Sequence, residues 1–126
     1  MVPKKITIKV QENLPTLTGN IWKFTQLFQN LIENAIKYNN KEKGTVEIGF
    51  TEKENHYQFF VKDNGVGIKA AYFNKIFKVF TKLESISSSS GIGLSIVKKI
   101  VNFYNGKIWL ESKEEIGTTF YFTISK

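Results

Sequence analysis

The 126-residue sequence predicts an α+β fold, a two-layer α/β sandwich in which about three helices cover one face of a mixed, mostly antiparallel sheet of about five strands. Two observations predict this class. Segments with a two-residue apolar alternation follow one another in pairs, whereas a doubly wound parallel sheet needs strands that alternate strictly with helices. The length suits one hydrophobic core, so we expect one domain over residues 1–126.

Five segments show strand patterns, and turn residues separate them: KKITIKV, TVEIGF, HYQFFVK, KIWLES and TTFYFTI. The first predicted helix starts after Asn20, a suitable N-terminal cap, and runs to about Tyr38 with apolar residues at three- and four-residue spacing. The second helix is predicted over AAYFNKIFKVF and the third over GLSIVKKIVNFYNG. Between them, TKLESISSSS has no apolar periodicity, which favours a mobile loop.

Composition excludes several classes of protein. Hydrophobic residues make up 41% of the chain and aromatic residues 14%, which is typical of a folded globular protein. There is no cysteine for disulfides or thiolate metal sites, and no apolar run long enough to span a membrane, so we expect a cytoplasmic location. The net charge of +7 is spread over the chain without a basic block. This dispersion argues against a nucleic-acid partner, although a positive field would attract a nucleotide.

The first predicted helix carries a polar strip beside its apolar face. Asn30, Asn34 and Lys37 stack one above another at helical spacing, and Tyr38 lies at the border with the apolar side. Asparagine is a poor helix former. The strip is therefore either a solvated surface or part of a binding site.

The motif DNGVGI, residues 63–68, follows the third predicted strand. Asp-Asn-Gly is a common turn, which is the simplest interpretation. The two-residue period, however, puts Asp63 on the apolar side with Phe59 and Val61, where a carboxylate needs a hydrogen-bond donor. A ligand amino group could be that donor, and Gly65 and Gly67 would let a flat ligand approach the backbone.

The motif GIGLSIVKK, residues 91–99, feeds a predicted helix. It lacks the third glycine of the dinucleotide fingerprint and the Gly-Lys-Ser/Thr of the phosphate loop. A glycine-rich turn at a helix N-terminus still suits phosphate. The single histidine, His56, lies in a predicted strand and gives little basis for a Ser-His-Asp arrangement.

Five motifs occur in an order that is specific: NLIENAIKY, DNGVGI, IFKVF, GIGLSIVKKIV and GTTFYF. They resemble the N, G1, F, G2 and G3 boxes of the catalytic ATP-binding domain of sensor histidine kinases, which belongs to the same superfamily as gyrase and heat-shock chaperone ATPases. The resemblance covers about Ile6 to Ile124. It implies binding of ATP with Mg²⁺ and a role in two-component signal transduction.

The resemblance also implies roles for individual residues. Asn34 would give its side-chain oxygen to Mg²⁺, with Asn30 beside it, Lys37 near the phosphates and Tyr38 against the adenine. Asp63 would accept from the adenine amino group. The implied base contacts also include Gly65, Gly67, Ile68 and Thr118, the last through ordered water.

Further implied roles concern the segment that would cover the nucleotide. Gly91, Gly93 and Leu94 would form the hinge of an ATP lid, and TKLESISSSS its mobile part. Lys82 would take the place of an arginine that reaches the γ-phosphate, as a point charge instead of a fork.

The implied partner is the histidine-bearing dimerisation domain of the same kinase, contacted through the region of Phe77 and Phe80, with a response regulator downstream. No such histidine-bearing helical hairpin is recognisable in this sequence, so we expect a monomeric fragment of a longer, dimeric kinase. The sequence leaves open whether the full-length kinase has a membrane anchor. The alternatives are an ATPase of the same superfamily and a nucleotide-sensing module without transfer chemistry. Asn30 argues against the ATPase, because chaperone-type relatives have a glutamate there as general base and an amide cannot act as one.

Overall fold

The computed structural model describes residues 5–73 and 90–126. Its strands are β1 Lys5–Val10, β2 Lys43–Glu52, β3 His56–Asp63, β4 Ile108–Lys113 and β5 Gly117–Ser125. Its α-helices are α1 Ile21–Lys37 and α2 Ser90–Phe103, and a short 3-10 helix, Ala70–Tyr72, lies between β3 and α2.

The strands form one sheet in the order β1-β2-β3-β5-β4. β1 is parallel to β2, and the other three pairs are antiparallel. The mixed, mostly antiparallel five-stranded sheet expected from the sequence is therefore confirmed.

Both helices pack on one face of the sheet, because the apolar residues of each element point the same way. Aromatic rings fill the centre: Phe59 and Phe122, on neighbouring strands, stack with centroids 5.2 Å apart, and Phe28 of α1 meets both edge-on at 5.6 and 5.4 Å. The buried residues around them come from α1, α2, β2, β3 and β5: Leu27, Leu31, Ala35, Val46, Val61, Val97, Val101, Phe120 and Ile124.

The helices differ in part from the sequence-based expectation. α1 begins where expected, with Asn20 Oδ1 accepting from the backbone N–H of Trp22 at 2.8 Å and of Lys23 at 3.3 Å. α2 begins at Ser90, three residues before the expected start at Gly93, so the glycine-rich motif forms a helical first turn. The middle predicted helix, residues 70–80, begins as the 3-10 helix, and its part after residue 73 lies outside the described residues.

Within residues 5–73 and 90–126, no helix is long and apolar enough to cross a membrane.

Candidate nucleotide-binding site

A cleft of about 270 Å³ opens where α1 and β3 both end. Its walls come from the last turns of α1, the loop after β3 with the 3-10 helix, the turn between β4 and β5, and the start of β5. The lining residues are Asn34, Tyr38, Asp63, Val66, Gly67, Ile68, Lys69, Tyr72, Glu114, Glu115 and Thr118. Six of the residues expected to contact a nucleotide therefore lie together: Asn34, Tyr38, Asp63, Gly67, Ile68 and Thr118.

Asp63 is the last residue of β3 and lies on the inner face of the sheet, as its alternation with Phe59 and Val61 predicts. Its Oδ1 accepts from the Gly65 N–H at 2.8 Å and from the Thr118 N–H at 3.3 Å. Burial raises the pKa of Asp63, and these two backbone hydrogen bonds oppose the rise. Both bonds use Oδ1, which leaves Oδ2 to accept from another donor.

Thr118 of β5 lies opposite Asp63 in the strand register and is 5% exposed. Its Oγ1 lies 2.7 Å from Ser112 Oγ of β4. Ser112 Oγ also accepts from the Ile68 N–H at 2.7 Å and donates to the Gly117 carbonyl at 3.0 Å. We call Asp63 and Thr118, backed by Ser112, the strand wall of the cleft.

The opposite wall comes from α1. Asn34 and Tyr38 are one helical turn apart and both face the cleft, and we call this pair the helix wall. Asn34 Oδ1 is buried and has no hydrogen-bond partner among the described residues. A buried amide oxygen without a partner costs about 1–3 kcal/mol, so it marks a place where a ligand or metal ion can bind.

The loop between the walls is joined to both sides by backbone hydrogen bonds. The Val66 N–H donates to the Tyr38 carbonyl at 3.0 Å, and the Glu115 N–H donates to the Val66 carbonyl at 2.7 Å. The loop therefore connects the end of α1 to the β4–β5 turn.

Gly65 and Gly67 are required by this loop, because other parts of the backbone lie close to both. A Cβ on Gly65 would lie 2.6 Å from the Tyr38 carbonyl oxygen, and one on Gly67 would collide with the Lys113 backbone. Gly67 also has a φ of 76°, which favours glycine. Both glycines thus allow close packing of protein backbone, and of the two only Gly67 lines the cleft. The approach of a flat ligand to these glycines stays a prediction.

Asn64 ties the same loop to β2. Its Oδ1 accepts from the Thr45 N–H and from Asn39 Nδ2, both at 2.8 Å, and its Nδ2 donates to the Lys43 carbonyl at 3.0 Å. Asn39 is 1% exposed and also accepts from the Lys41 N–H at 2.9 Å. These side-chain amides continue the β2–β3 hydrogen bonding past Asp63 and fix the direction in which the loop leaves the sheet.

The remaining expected site residues lie beside the cleft. Asn30 Nδ2 donates to the Gly93 carbonyl at 3.4 Å, which joins α1 to the first turn of α2. Leu94 is 3% exposed and belongs to the core. Lys37 is exposed, with Nζ 5.8 Å from the centre of the Tyr38 ring.

Gly91, Gly93 and Leu94 all lie within α2, so the expected hinge is helical in this structure. Lys82, Phe77, Phe80 and residues 81–89 of the expected lid lie outside the described residues.

Sequence reasoning missed several residues of the site. Ser112 had a usable signal, since Ile108, Leu110 and Ser112 alternate on the inner face of β4 in the same way that Phe59, Val61 and Asp63 do on β3. The other missed residues lie in turns or in the 3-10 helix, where no periodicity indicates them: Val66, Lys69, Tyr72, Glu114 and Glu115.

A family model described as "Histidine kinase-, DNA gyrase B-, and HSP90-like ATPase" matches residues 19–126. The chain belongs to this histidine kinase-like ATPase family. The match covers both walls of the cleft and confirms the resemblance seen in the five motifs.

Individual relatives within the family are histidine kinases and phytochromes. The chain is 42% identical over 113 residues to Cyanobacterial phytochrome A of Nostoc sp., covering 88% of this chain and 15% of that protein. The catalytic domain of histidine kinase ThkA is 28% identical, with a TM-score of 0.77 over 97% of this chain and 78% of that one. Full-length ShkA, solved in complex with AMPPNP, is 25% identical, with a TM-score of 0.79 over 95% of this chain and 25% of that one.

Proposed function

We propose that residues 1–126 form the catalytic domain of a longer histidine kinase, which binds Mg²⁺-ATP in the cleft and donates the γ-phosphate to a histidine of a separate dimerisation domain. The observation that carries this proposal is the pairing of two incomplete groups across one cleft. Among residues 5–73 and 90–126, no group bonds to Asp63 Oδ2 on one side, and none bonds to the buried Asn34 Oδ1 on the other.

The strand wall would hold the adenine. Asp63 Oδ2 would accept from the adenine amino group, and the two backbone N–H groups on Oδ1 keep the carboxylate from rotating. A hydrogen bond to a charged group contributes about 1.5–3 kcal/mol. Tyr38, Ile68 and Gly67 offer the flat, largely apolar surface that a base needs.

The helix wall fits a hard cation. Amide oxygens and phosphates are ligands that Mg²⁺ prefers, and Asn34 Oδ1 is an amide oxygen without another partner among the described residues. In the same part of the chain, no group of three or more His, Asp or Glu side chains could hold a metal ion. A bound Mg²⁺ would therefore depend on the nucleotide's phosphates as well as on Asn34, and it would neutralise part of their charge.

The geometry around Asn30 supports a kinase over an ATPase. Asn30 lies one turn before Asn34 and donates to the Gly93 carbonyl, a contact that uses its Nδ2. The nearby Glu33 is exposed, and its Oε1 accepts from Gln29 Nε2 at 2.9 Å. Neither residue provides a carboxylate on the Asn34 strip that could remove a proton from attacking water.

The partners follow from the same proposal. The histidine-bearing domain of the same kinase would contact the region of Phe77 and Phe80, and a response regulator would receive the phosphoryl group. We propose a cytoplasmic location, where ATP is available, a homodimer for the full-length kinase and a monomer for this domain alone.

The test compares two reactions of the purified domain with Mg²⁺-ATP. We expect very slow hydrolysis by the domain alone, because neither Asn30 nor Glu33 can act as the general base. We also expect phosphorylation of an added histidine-bearing hairpin domain from the same kinase. Radiolabelled ATP followed by acid-sensitive phosphoprotein detection measures both. Rapid multiple turnover by the isolated domain would overturn the kinase assignment in favour of an ATPase.

A further inference from the structure

Ser112 lies directly behind the strand wall, and its hydroxyl group makes three hydrogen-bond contacts, the full number that a hydroxyl group can make. Three polar atoms lie within 3.0 Å of Ser112 Oγ: the Ile68 nitrogen, the Gly117 carbonyl oxygen and Thr118 Oγ1. Ser112 does not line the cleft itself, so its effect on a ligand must act through Thr118 or the Ile68 loop.

The count of hydrogen atoms assigns a direction to each contact. A carbonyl oxygen has no hydrogen, so the Gly117 contact needs the single hydrogen of Ser112. The Ile68 contact uses the backbone hydrogen of Ile68. The contact between the two hydroxyl groups can then be a hydrogen bond only if Thr118 donates to Ser112.

This assignment leaves Thr118 Oγ1 with lone pairs and no hydrogen for a ligand. Thr118 lines the cleft opposite Asp63 in the strand register, and Asp63 Oδ2 is also an acceptor when the carboxyl group is ionised. The strand wall therefore presents two hydrogen-bond acceptors to the cleft. An amino group, which has two hydrogens, matches such a surface, whereas a carbonyl oxygen in the same place would face lone pairs.

We infer that Ser112 is a positioning residue that sets Thr118 as a hydrogen-bond acceptor and so makes the base pocket select an amino-bearing purine over an oxo-bearing one. This inference rests on the proposed binding of ATP in the cleft. The inference adds to the role of Asp63. Asp63 alone supplies one acceptor and does not determine whether the Thr118 hydroxyl donates or accepts.

The test measures the dissociation constants of ATP and inosine triphosphate by calorimetry. The base carries an amino group at C6 in ATP and a carbonyl oxygen there in inosine triphosphate, and the adjacent N1 changes from an acceptor to a donor. In Ser112→Ala, the Thr118 hydroxyl loses its acceptor and becomes free to donate to a carbonyl oxygen. We expect the preference for ATP to fall up to about 10-fold, because inosine triphosphate gains one hydrogen bond from the freed Thr118 hydroxyl. Ser112→Thr keeps the hydroxyl and should retain most of the preference.

The ratio of the dissociation constants of ATP and inosine triphosphate distinguishes a positioning role of Ser112 from a purely structural one. Loss of the Ile68 contact would weaken both nucleotides alike and leave the ratio unchanged. Thr118→Val should also lower the ratio, because it removes the acceptor itself. Adding Ser112→Ala to Thr118→Val should then have little further effect, because Ser112 acts through the Thr118 hydroxyl.

Thr123→Val is the matched control. Thr123 is also a buried β5 hydroxyl, and it accepts from the Lys107 N–H at 2.9 Å, but it does not line the cleft. The ratio of the two dissociation constants in Thr123→Val should match that of the wild type. An unchanged ratio in folded Ser112→Ala, or an equal fall in Thr123→Val, would overturn the inference.

If Ser112→Ala does not fold, Ser112→Cys gives the same test, since a thiol is a weaker hydrogen-bonding group and should produce an intermediate ratio. Failure of the wild type to bind either nucleotide would remove the proposed function together with this inference. An intact ATP preference that Ser112→Ala or Ser112→Cys does not alter would remove the inference alone.

Discussion

The two walls of the cleft differ in how completely the protein satisfies its own polar groups. On the strand wall, Asp63 Oδ1 accepts two backbone N–H groups, and the Ser112 and Thr118 hydroxyls are bonded to each other. On the helix wall, Asn34 Oδ1 is buried and has no partner in the described part of the chain. These polar groups of the strand wall are therefore paired within the protein, whereas the Asn34 oxygen of the helix wall is left for a ligand.

This difference suggests a division of work between the walls. A fixed hydrogen-bond pattern discriminates between bases, because a wrong base leaves buried groups unpaired. An unpaired oxygen favours whatever cation or donor comes with the nucleotide, so it contributes affinity only when that group is present. Selectivity should therefore belong to the strand wall and metal dependence to the helix wall.

The largest expected effect concerns the loop that supports the strand wall. Gly67→Ala should destabilise the domain by about 2–4 kcal/mol, from the left-handed backbone conformation and from a clash with the Lys113 backbone. The matched change near the helix wall is Gly93→Ala, where the nearest described atom, Asn30 Cγ, would be 3.8 Å from the new methyl group. It should stabilise α2 by about 0.5–1 kcal/mol. Urea unfolding of both variants measures this, and equal destabilisation would contradict the contrast.

Asp63→Ala should weaken ATP binding about 10- to 100-fold, since a hydrogen bond to a charged partner contributes about 1.5–3 kcal/mol. Asp63→Asn is the control for shape, because it keeps an acceptor oxygen for the Gly65 and Thr118 N–H groups. It should fold normally and still bind ATP weakly, with an amide donor facing the amino group. Calorimetry on the folded variants decides, and an unchanged affinity in both would remove Asp63 from the site.

Asn34→Leu should change stability and function in opposite directions. The substitution removes a buried oxygen that has no partner within residues 5–73 and 90–126. It should raise the free energy of unfolding by about 1 kcal/mol, while Mg²⁺-dependent ATP binding is lost. Asn39→Leu is the matched substitution at a buried amide that has partners, and it should lower stability by about 1–3 kcal/mol. Denaturant unfolding and ATP titrations with and without Mg²⁺ measure both effects. A loss of stability in Asn34→Leu as large as that in Asn39→Leu would show that Asn34 is not a site reserved for a ligand.

The smallest expected effect is a pH dependence at the strand wall. Burial raises the pKa of Asp63 above its usual 3.8, so the folded state favours the protonated carboxyl group. The stability that this gives is present below the unfolded pKa and is lost as the pH rises through the folded pKa. Relative to Asp63→Asn, the wild type should therefore lose stability over that range, while its ATP affinity rises as the carboxylate forms. Denaturant unfolding of both proteins at a series of pH values measures the difference. If the wild type instead gained stability relative to Asp63→Asn as the pH rises, the backbone hydrogen bonds would outweigh burial in setting the pKa of Asp63.

Most site residues on regular elements could be predicted from their periodicity, with Ser112 of β4 as an exception. In the loops, Gly67 and Ile68 were predicted from the motif DNGVGI, and the other lining residues were not. The two-residue period of β3 placed Asp63 on the inner face, and the helical period of α1 placed Asn34 and Tyr38 on one strip. Glu114 and Glu115 reach the cleft only because the Glu115 N–H bonds to the Val66 carbonyl, a contact between distant loops that no local pattern encodes. The glycines of DNGVGI were identified as necessary, but the groups that pack against them, Tyr38 and Lys113, depend on the same long-range contacts.

The position of β5 in the sheet affects how the domain can be synthesised. β5 follows the other four strands along the chain, yet it lies between β3 and β4, and it pairs with β3 from His56 opposite Ser125 to Asp63 opposite Thr118. A ribosome must therefore release residues up to about 125 before the centre of the sheet can close, because such distant pairings form late. Until then Asp63 lacks its neighbour Thr118 and the apolar face of β3 lacks its cover. The emerging chain must stay free of aggregation without help from a ligand in the cleft, since β5, which completes the strand wall, is the last of these five strands to be made.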